Sequence, residues 1–189
     1  MTKKEARKEF LAKRKLLTPG DQFLLNQKLY TQFFSFLDLS FIRVLHLFLS
    51  TEEKNEVDTW TILDRLRREY PHIRVVIPKM KDGNQLEHFY FEGMQQLKVN
   101  SWGIAEPQTG IPAEVQKIDL VIVPLVVCDQ QGNRVGYGKG FYDSFLRDCR
   151  SDCQKIGICF FEPVDQIDDV ESWDVKLDQC ITPKGILRF

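Results

Sequence analysis

Apolar positions recur along this chain with two periods, and the switches between them outline its elements. Residues 3–17 contain no Gly, Pro or β-branched residue, and most are good helix formers, which predicts a helix. Thr18-Pro19-Gly20-Asp21 reads as the start of a second helix, with Thr18 as N-cap, Pro19 in the first turn and Asp21 at the positive end. Leu25, Leu29, Phe33 and Phe36 keep helical spacing to about Leu37. The run Val44–Leu49 suits a buried strand. Asn55 is expected to cap a helix that runs to Tyr70, carries Ile62, Leu63 and Leu66 inward, and stops at Pro71.

Ile73–Ile77 and Leu86–Phe91 read as strands, the second preceded by an Asp82-Gly83-Asn84 turn. Residues 92–117, rich in Gly, Pro, Gln and Asn, read as a long surface connection. Leu120–Val127 is nearly continuous in apolar residues, as a strand buried on both faces would be. Residues 139–150 are expected to be helical, Ile156–Phe161 extended, and the last segment to add one or two short strands. Strands alternating with helices predict an α/β fold: a three-layer α/β/α open sheet, mostly parallel or mixed and Rossmann-like, in one domain spanning 1–189.

Composition narrows the classes. The 189 residues are 43% hydrophobic and 28% charged, which argues against disorder. Lys and Arg number 26 against 27 Asp and Glu, so a bulk polyanion binder, and with it nucleic acid as a partner, is not expected. No apolar run is long enough for a bilayer, and the charged N-terminus does not look like a signal peptide. Five cysteines without a CxxC pair read as reduced thiols of a cytoplasmic protein.

The chemistry concentrates in Asp129–Asp143 (DQQGNRVGYGKGFYD), between the most strand-like run and a predicted helix. Gly136, Gly138 and Gly140 stand at every second position, so backbone N–H groups are left open to an anion. The following helix adds its own free N–H groups, and Lys139 and Arg134 add cations. Such a strand-to-helix junction is where open α/β sheets bind ligands. Neither the GxGxxG nor the P-loop pattern is met, and a tight turn that needs positive φ values is the structural alternative. Asp143 is a candidate Mg²⁺ ligand provided a nucleotide binds, because that ion takes one or two carboxylates plus phosphate oxygens.

On the first helix Lys3, Arg7 and Arg14 fall within roughly 40° of one another, beside an apolar stripe of Ala6, Phe10 and Leu17. Residues 1–17 carry seven basic side chains against two acidic ones. The helix can therefore dock by one stripe and turn the other to a crevice, or simply present a solvated charged face. Glu56, expected at a helix start, is either a capping residue or an acceptor for an amino-pyrimidine edge. Trp102, in a Gly/Pro-rich loop, offers an aromatic platform or a core anchor. His46, His72 and His88 lack metal or triad spacing.

Taken in order, these residues resemble the 5-formyltetrahydrofolate cyclo-ligase (5,10-methenyltetrahydrofolate synthetase) family. Pro124 to Asp129 followed by Gly132–Asp143 resembles its signature. Lys3-xxx-Arg7, Phe48-Leu49-Ser50 with Glu56–Thr59, Ile77-Pro78-Lys79 and Ser101–Pro107 match in order along the chain. Lys79, Phe141 and Cys128 stand where arginine, tyrosine and phenylalanine are frequent.

The resemblance implies an ATP- and Mg²⁺-dependent closure of 5-formyltetrahydrofolate to 5,10-methenyltetrahydrofolate, through a phosphorylated formyl group, by a cytoplasmic enzyme working as a monomer. It implies ATP contacts from Lys3, Lys4, Glu5, Ala6 and Arg7 and from Arg134, Val135, Gly136, Tyr137, Gly138, Lys139, Gly140, Phe141 and Tyr142. Folate contacts would come from Leu49, Glu56, Trp102 and residues 137–141. Lys139 and Arg134 would serve catalysis, and Asp143 and Asp178 would hold Mg²⁺. The alternative is a non-catalytic folate or nucleotide binder on the same fold, which would not need the γ-phosphate apparatus. A sugar-phosphate isomerase or CoA-transferase-like enzyme is a further reading, distinguished by needing no ATP.

Overall fold

The structure, a computed structural model, describes all of residues 1–189. Two helices open the chain, α1 (Lys3–Lys15) and α2 (Pro19–Phe36). Both begin with a capping box, Thr2 with Glu5 and Thr18 with Asp21, so backbone donors at each helix start are satisfied by adjacent side chains. β1 (Val44–Leu47) is followed by a short 3-10 turn over Glu52–Lys54, then α3 (Trp60–Glu69), β2 (Arg74–Lys81) and β3 (Gln85–Tyr90).

The stretch expected to be a plain connection holds two 3-10 turns and a small hairpin, β4 (Leu97–Val99) with β5 (Ala105–Pro107). β6 (Leu120–Pro124), β7 (Val127–Cys128), β8 (Arg134–Val135), α4 (Phe141–Asp148), β9 (Gln154–Ile158), β10 (Gln179–Thr182) and β11 (Gly185–Arg188) complete the chain.

Seven strands form one sheet in the order β11-β10-β9-β6-β1-β2-β3. The five central strands are parallel, and antiparallel β11 and β3 close the edges. Period-two alternation gives this sheet two apolar faces. Leu45, Leu47, Val75, Ile77, Leu120 and Ile122 join Leu29 and Phe33 of α2 and Ile62, Leu63 and Leu66 of α3. Val44, Val76, Val121 and Val123 face the other way, onto Phe145 and Leu146 of α4. Each large side chain so buried contributes about 2 kcal/mol relative to exposure. The three-layer α/β/α arrangement follows from this division.

Three departures from the sequence reading bear on the crevice. The strand expected over 120–127 ends at Pro124, which has no N–H to donate, and the chain then leaves the sheet to pair β7 with β8. Asn55 takes a left-handed conformation (φ 48°) that ends the 3-10 turn instead of starting a helix. The helix begins at Trp60, where Asp58 Oδ1 accepts from the N–H groups of Trp60 and Thr61. Glu56 therefore lies in a loop, not at a helix start. The helix expected from Lys139 begins at Phe141, with Gly140 in the left-handed region (φ 75°) as its N-cap.

α1 stands outside the two main cores. Ala6 and Phe10 pack with Val126, Val127, Val135 and Ile167 in a small core of their own. This contact fixes the basic helix against the β7–β8 hairpin that leads into the glycine loop.

Candidate functional site

The carboxyl ends of β1 and β6, the glycine loop, α1, the β4–β5 hairpin and residues around Trp173 enclose a crevice of about 680 Å³. That is within the range of small-molecule sites. Its position outside the carboxyl ends of parallel strands is the one expected for an open α/β sheet.

The glycine loop is held from below by a buried carboxylate. Asp129 accepts from the N–H groups of Gln131, Asn133 and Ile167 and from the Asn133 amide, at 2.8–3.1 Å. Val126 N–H then bonds the Val135 carbonyl, which sends the chain out over the crevice. Gly138 (φ 85°) is needed for two reasons. Its backbone is left-handed, and a Cβ there would stand 3.2 Å from the Arg7 guanidinium carbon. Arg7 Nε donates to the Gly136 carbonyl at 2.8 Å, so α1 grips the loop directly.

The cations of the crevice differ in how far they are committed. Lys3 pairs with Asp174. Arg134, with 5% of its side chain exposed, donates to Asp143 at 2.6 Å and to the Val175 carbonyl. Asp143 also accepts from Val175 N–H at 3.2 Å, so these groups clamp the loop and α4 to the 174–175 segment. Arg147 donates to the Trp173 carbonyl at 3.3 Å. Lys139 forms no ion pair; its ammonium lies 5.4 Å from the Trp102 ring centroid. Trp102 and Trp173 are each 57% exposed although both line the crevice. Both rings are left half open to the crevice, so neither is a core anchor.

On the opposite wall Glu56 is engaged at both oxygens. Oε2 accepts from Thr51 N–H at 2.8 Å, and Oε1 from the Tyr137 hydroxyl at 2.5 Å. Burial, and then the Glu56 charge, hold the Tyr137 hydroxyl well above the usual phenol range, so it stays protonated and donates. The Tyr142 hydroxyl is pushed up by burial as well, and it has no hydrogen-bond partner. Glu106, buried among Met80, Ile104 and Ala105, accepts from Met80 N–H at 2.8 Å.

Of the residues singled out from the sequence, Lys3, Arg7, Leu49, Glu56, Trp102, Arg134, Gly136–Tyr142 and Asp143 come together around this crevice. Lys4 and Glu5 are exposed on α1, Ala6 is buried in its small core, and Val135 is buried in β8; none of the four lines the crevice. Asp178 is not brought there either. It precedes β10, at the amino ends of the strands, and accepts from Lys155 N–H at 2.7 Å. The aspartate that lines the crevice together with Asp143 is Asp174. Sequence reasoning missed it and Trp173, because residues 162–178 carry no regular hydrophobic period to orient them, and it missed Arg147 on α4, where a single basic residue carries no local signal of a site. No three His, Cys, Asp or Glu side chains gather into a metal cage. Asp143 and Asp174 offer hard oxygen donors of the type a cation that also takes phosphate oxygens requires.

The sequence profile of the 5-formyltetrahydrofolate cyclo-ligase family matches residues 1–183. A Schizosaccharomyces pombe protein named "Probable 5-formyltetrahydrofolate cyclo-ligase" is 32% identical over 154 residues, 71% of this chain and 72% of that one. The solved structure of Aquifex aeolicus 5,10-methenyltetrahydrofolate synthetase superposes with a TM-score of 0.84 at 28% identity, covering 100% of this chain and 93% of that one. The Mycoplasma pneumoniae enzyme of the same name gives 0.77 at 28% identity, covering 96% and 98%. With its crevice, glycine loop and three-layer sheet, the chain belongs to the 5-formyltetrahydrofolate cyclo-ligase family.

Proposed function

We propose that this chain closes 5-formyltetrahydrofolate to 5,10-methenyltetrahydrofolate at the expense of ATP, releasing ADP and phosphate. The observation that carries the proposal is Lys139. It is a cation without a carboxylate partner, on a loop of open glycine backbone, immediately before the N-terminus of α4. Those groups favour the β- and γ-phosphates of a nucleotide.

The reaction needs such a site because the formyl oxygen is a poor leaving group. Attack of that oxygen on the γ-phosphorus breaks the bond to ADP and leaves a phosphorylated iminium. N10 then attacks the iminium carbon and loses its proton, and phosphate departs with the oxygen. In phosphoryl transfer the protein chiefly positions the reactants and offsets developing charge. Lys139, Arg7 and the loop amides fill that role, while Leu49, Glu56, Trp102 and Tyr137 form the folate wall. No general base is required in the first step, which is consistent with a crevice lined by no histidine. Asp143 and Asp174 would hold Mg²⁺, which when bound shields the phosphate oxygens.

The test is incubation with 5-formyltetrahydrofolate, ATP and Mg²⁺. Methenyl absorbance in the near-UV is expected, and it should vanish when ATP or Mg²⁺ is omitted in turn. Folded protein that gives no product from intact substrate refutes the proposal.

A further inference from the structure

Arg14 is the one buried basic residue of α1. It is 6% exposed, in a helix whose other basic residues are mostly at the surface. Burying a guanidinium is costly unless its donors are used. Its Nη2 donates to the Tyr137 hydroxyl, and its guanidinium carbon lies 5.4 Å from the Tyr137 ring centroid. The Tyr137 hydroxyl in turn donates to Glu56 Oε1 at 2.5 Å. The other Glu56 oxygen is set by Thr51 N–H, and the Asn55 side chain donates to the Arg14 carbonyl at 3.2 Å. One chain of hydrogen bonds therefore joins α1, the glycine loop and the β1–α3 loop.

Each link constrains the next. A phenol has one proton and lone pairs to accept with. With Arg14 donating into it, the Tyr137 oxygen keeps its proton for Glu56 and becomes a stronger donor. The Glu56 carboxylate, held at both oxygens, is then fixed in direction at the wall of the crevice it lines. Without Arg14 the hydroxyl is free to turn, and the carboxylate loses its orientation toward the substrate ring.

We infer that Arg14 is a positioning residue for the folate substrate, acting through Tyr137 on Glu56. The inference rests on the folate-cyclising reading of the crevice. It separates two jobs on one helix: Lys3 and Arg7 at the amino end face the nucleotide side, and Arg14 two turns later sets the folate wall. It predicts a loss confined to one substrate, where a merely structural arginine would lower the amount of active protein and leave both KM values alone.

The experiment compares wild type, Arg14→Gln, Arg14→Lys, Tyr137→Phe and the Arg14→Gln/Tyr137→Phe double variant. Steady-state kinetics are run against each substrate, with calorimetric affinity for 5-formyltetrahydrofolate and thermal melting as controls. Arg14→Gln should raise the folate KM and dissociation constant by about tenfold, the scale of one lost charge-assisted hydrogen bond. The ATP KM should stay within about twofold, on the same scale. Arg14→Lys should recover part of the loss, and Arg14→Gln should add nothing in the Tyr137→Phe background. Tyr137→Phe keeps every residue of α1 and breaks the relay at its middle link, so it tests the relay even where Arg14→Gln folds poorly. The inference is overturned if both KM values move together, if neither moves, or if the two single effects multiply. An inactive wild type overturns the folate reading and this role with it; an active wild type with unselective variants overturns this role alone.

Discussion

The Lys139 ammonium lies 5.4 Å from the centre of the Trp102 ring, with no carboxylate near enough to pair with it. The contact parks a mobile cation over an aromatic face, between the glycine loop and the β4–β5 hairpin. A charge held this way is released by an incoming phosphate without a salt bridge having to break first. Lys139→Met should therefore lower kcat by about 10²- to 10³-fold, as for other removed transition-state donors, with the melting temperature nearly unchanged. Wild-type turnover in a folded Lys139→Met protein would remove this residue from the proposed chemistry.

Asp174 and Asp178 stand four residues apart and give opposite expectations. Asp174 lines the crevice and pairs with Lys3, whereas Asp178 caps the far end of β9 through Lys155 N–H. Asp174→Asn should raise the Mg²⁺ needed for half-maximal rate by at least the ~10- to 100-fold that follows disturbance of a metal's outer shell. Asp178→Asn should leave that requirement alone while lowering stability modestly. A Mg²⁺ titration of both variants decides; the reverse ranking would restore Asp178 as the ligand.

Acid should weaken the fold through a buried histidine pair. His46 and His88 lie with ring centroids 5.2 Å apart beside Phe145 and Tyr142, and neither His46 nitrogen has a partner. Burial drives His46 well below its ordinary range, with the His88 charge adding to it, and brings His88 down to about 4 despite the opposing pull of Asp148. Both are neutral when folded, while an unfolded histidine protonates near 6.5. Stability is therefore full above about pH 6.5 and is lost as pH falls toward 4. His88 alone implies a loss of about 2 kcal/mol between pH 7.5 and 5. His88→Gln should flatten that limb of a melting-temperature profile; an unchanged slope would dismiss the pair as its source.

The cysteines should react unequally. Cys149 is half-buried at the end of α4, and a hydrogen bond from Cys153, with Lys155 and Arg150 nearby, holds its thiol below the usual range. Cys153, Cys159 and Cys180 are buried and shifted upward, Cys159 mainly by burial itself. Limiting iodoacetamide should label Cys149 first, because the thiolate is the nucleophile. Peptide mass mapping with Cys153 labelled ahead of it would contradict that order.

The alternation of apolar residues made the layers legible before any coordinates, because each parallel strand had to feed two faces at once. Leu45 and Val44, or Ile122 and Val121, could hardly be placed otherwise. The glycine loop was legible too, since Gly138 and Gly140 answer a backbone need that no other residue meets so cheaply. What stayed hidden depended on tertiary contact. Arg134 looked like a free phosphate cation and proved to be committed to Asp143 and the Val175 carbonyl. Asp178 came from the resemblance alone, and Asp174 went unnoticed because irregular coil carries no period from which a side chain's direction can be read. Glu56 was assigned to a helix start because nothing local announces that Asn55 will turn left-handed.

The glycine loop hangs on Asp129, whose charge is met by four N–H groups and by no cation. Hydrogen bonds in a sealed interior are hardly screened by added electrolyte, whereas attraction between open charges is. Ionic strength thus becomes a selective instrument for this protein. Raising it weakens the pull of Lys139 on an anionic ligand while the scaffold beneath keeps its shape. A decline of rate with salt therefore reads on ligand capture and on the partly open ion pairs of Asp143 and Asp174, while the Asp129 anchor stays in place.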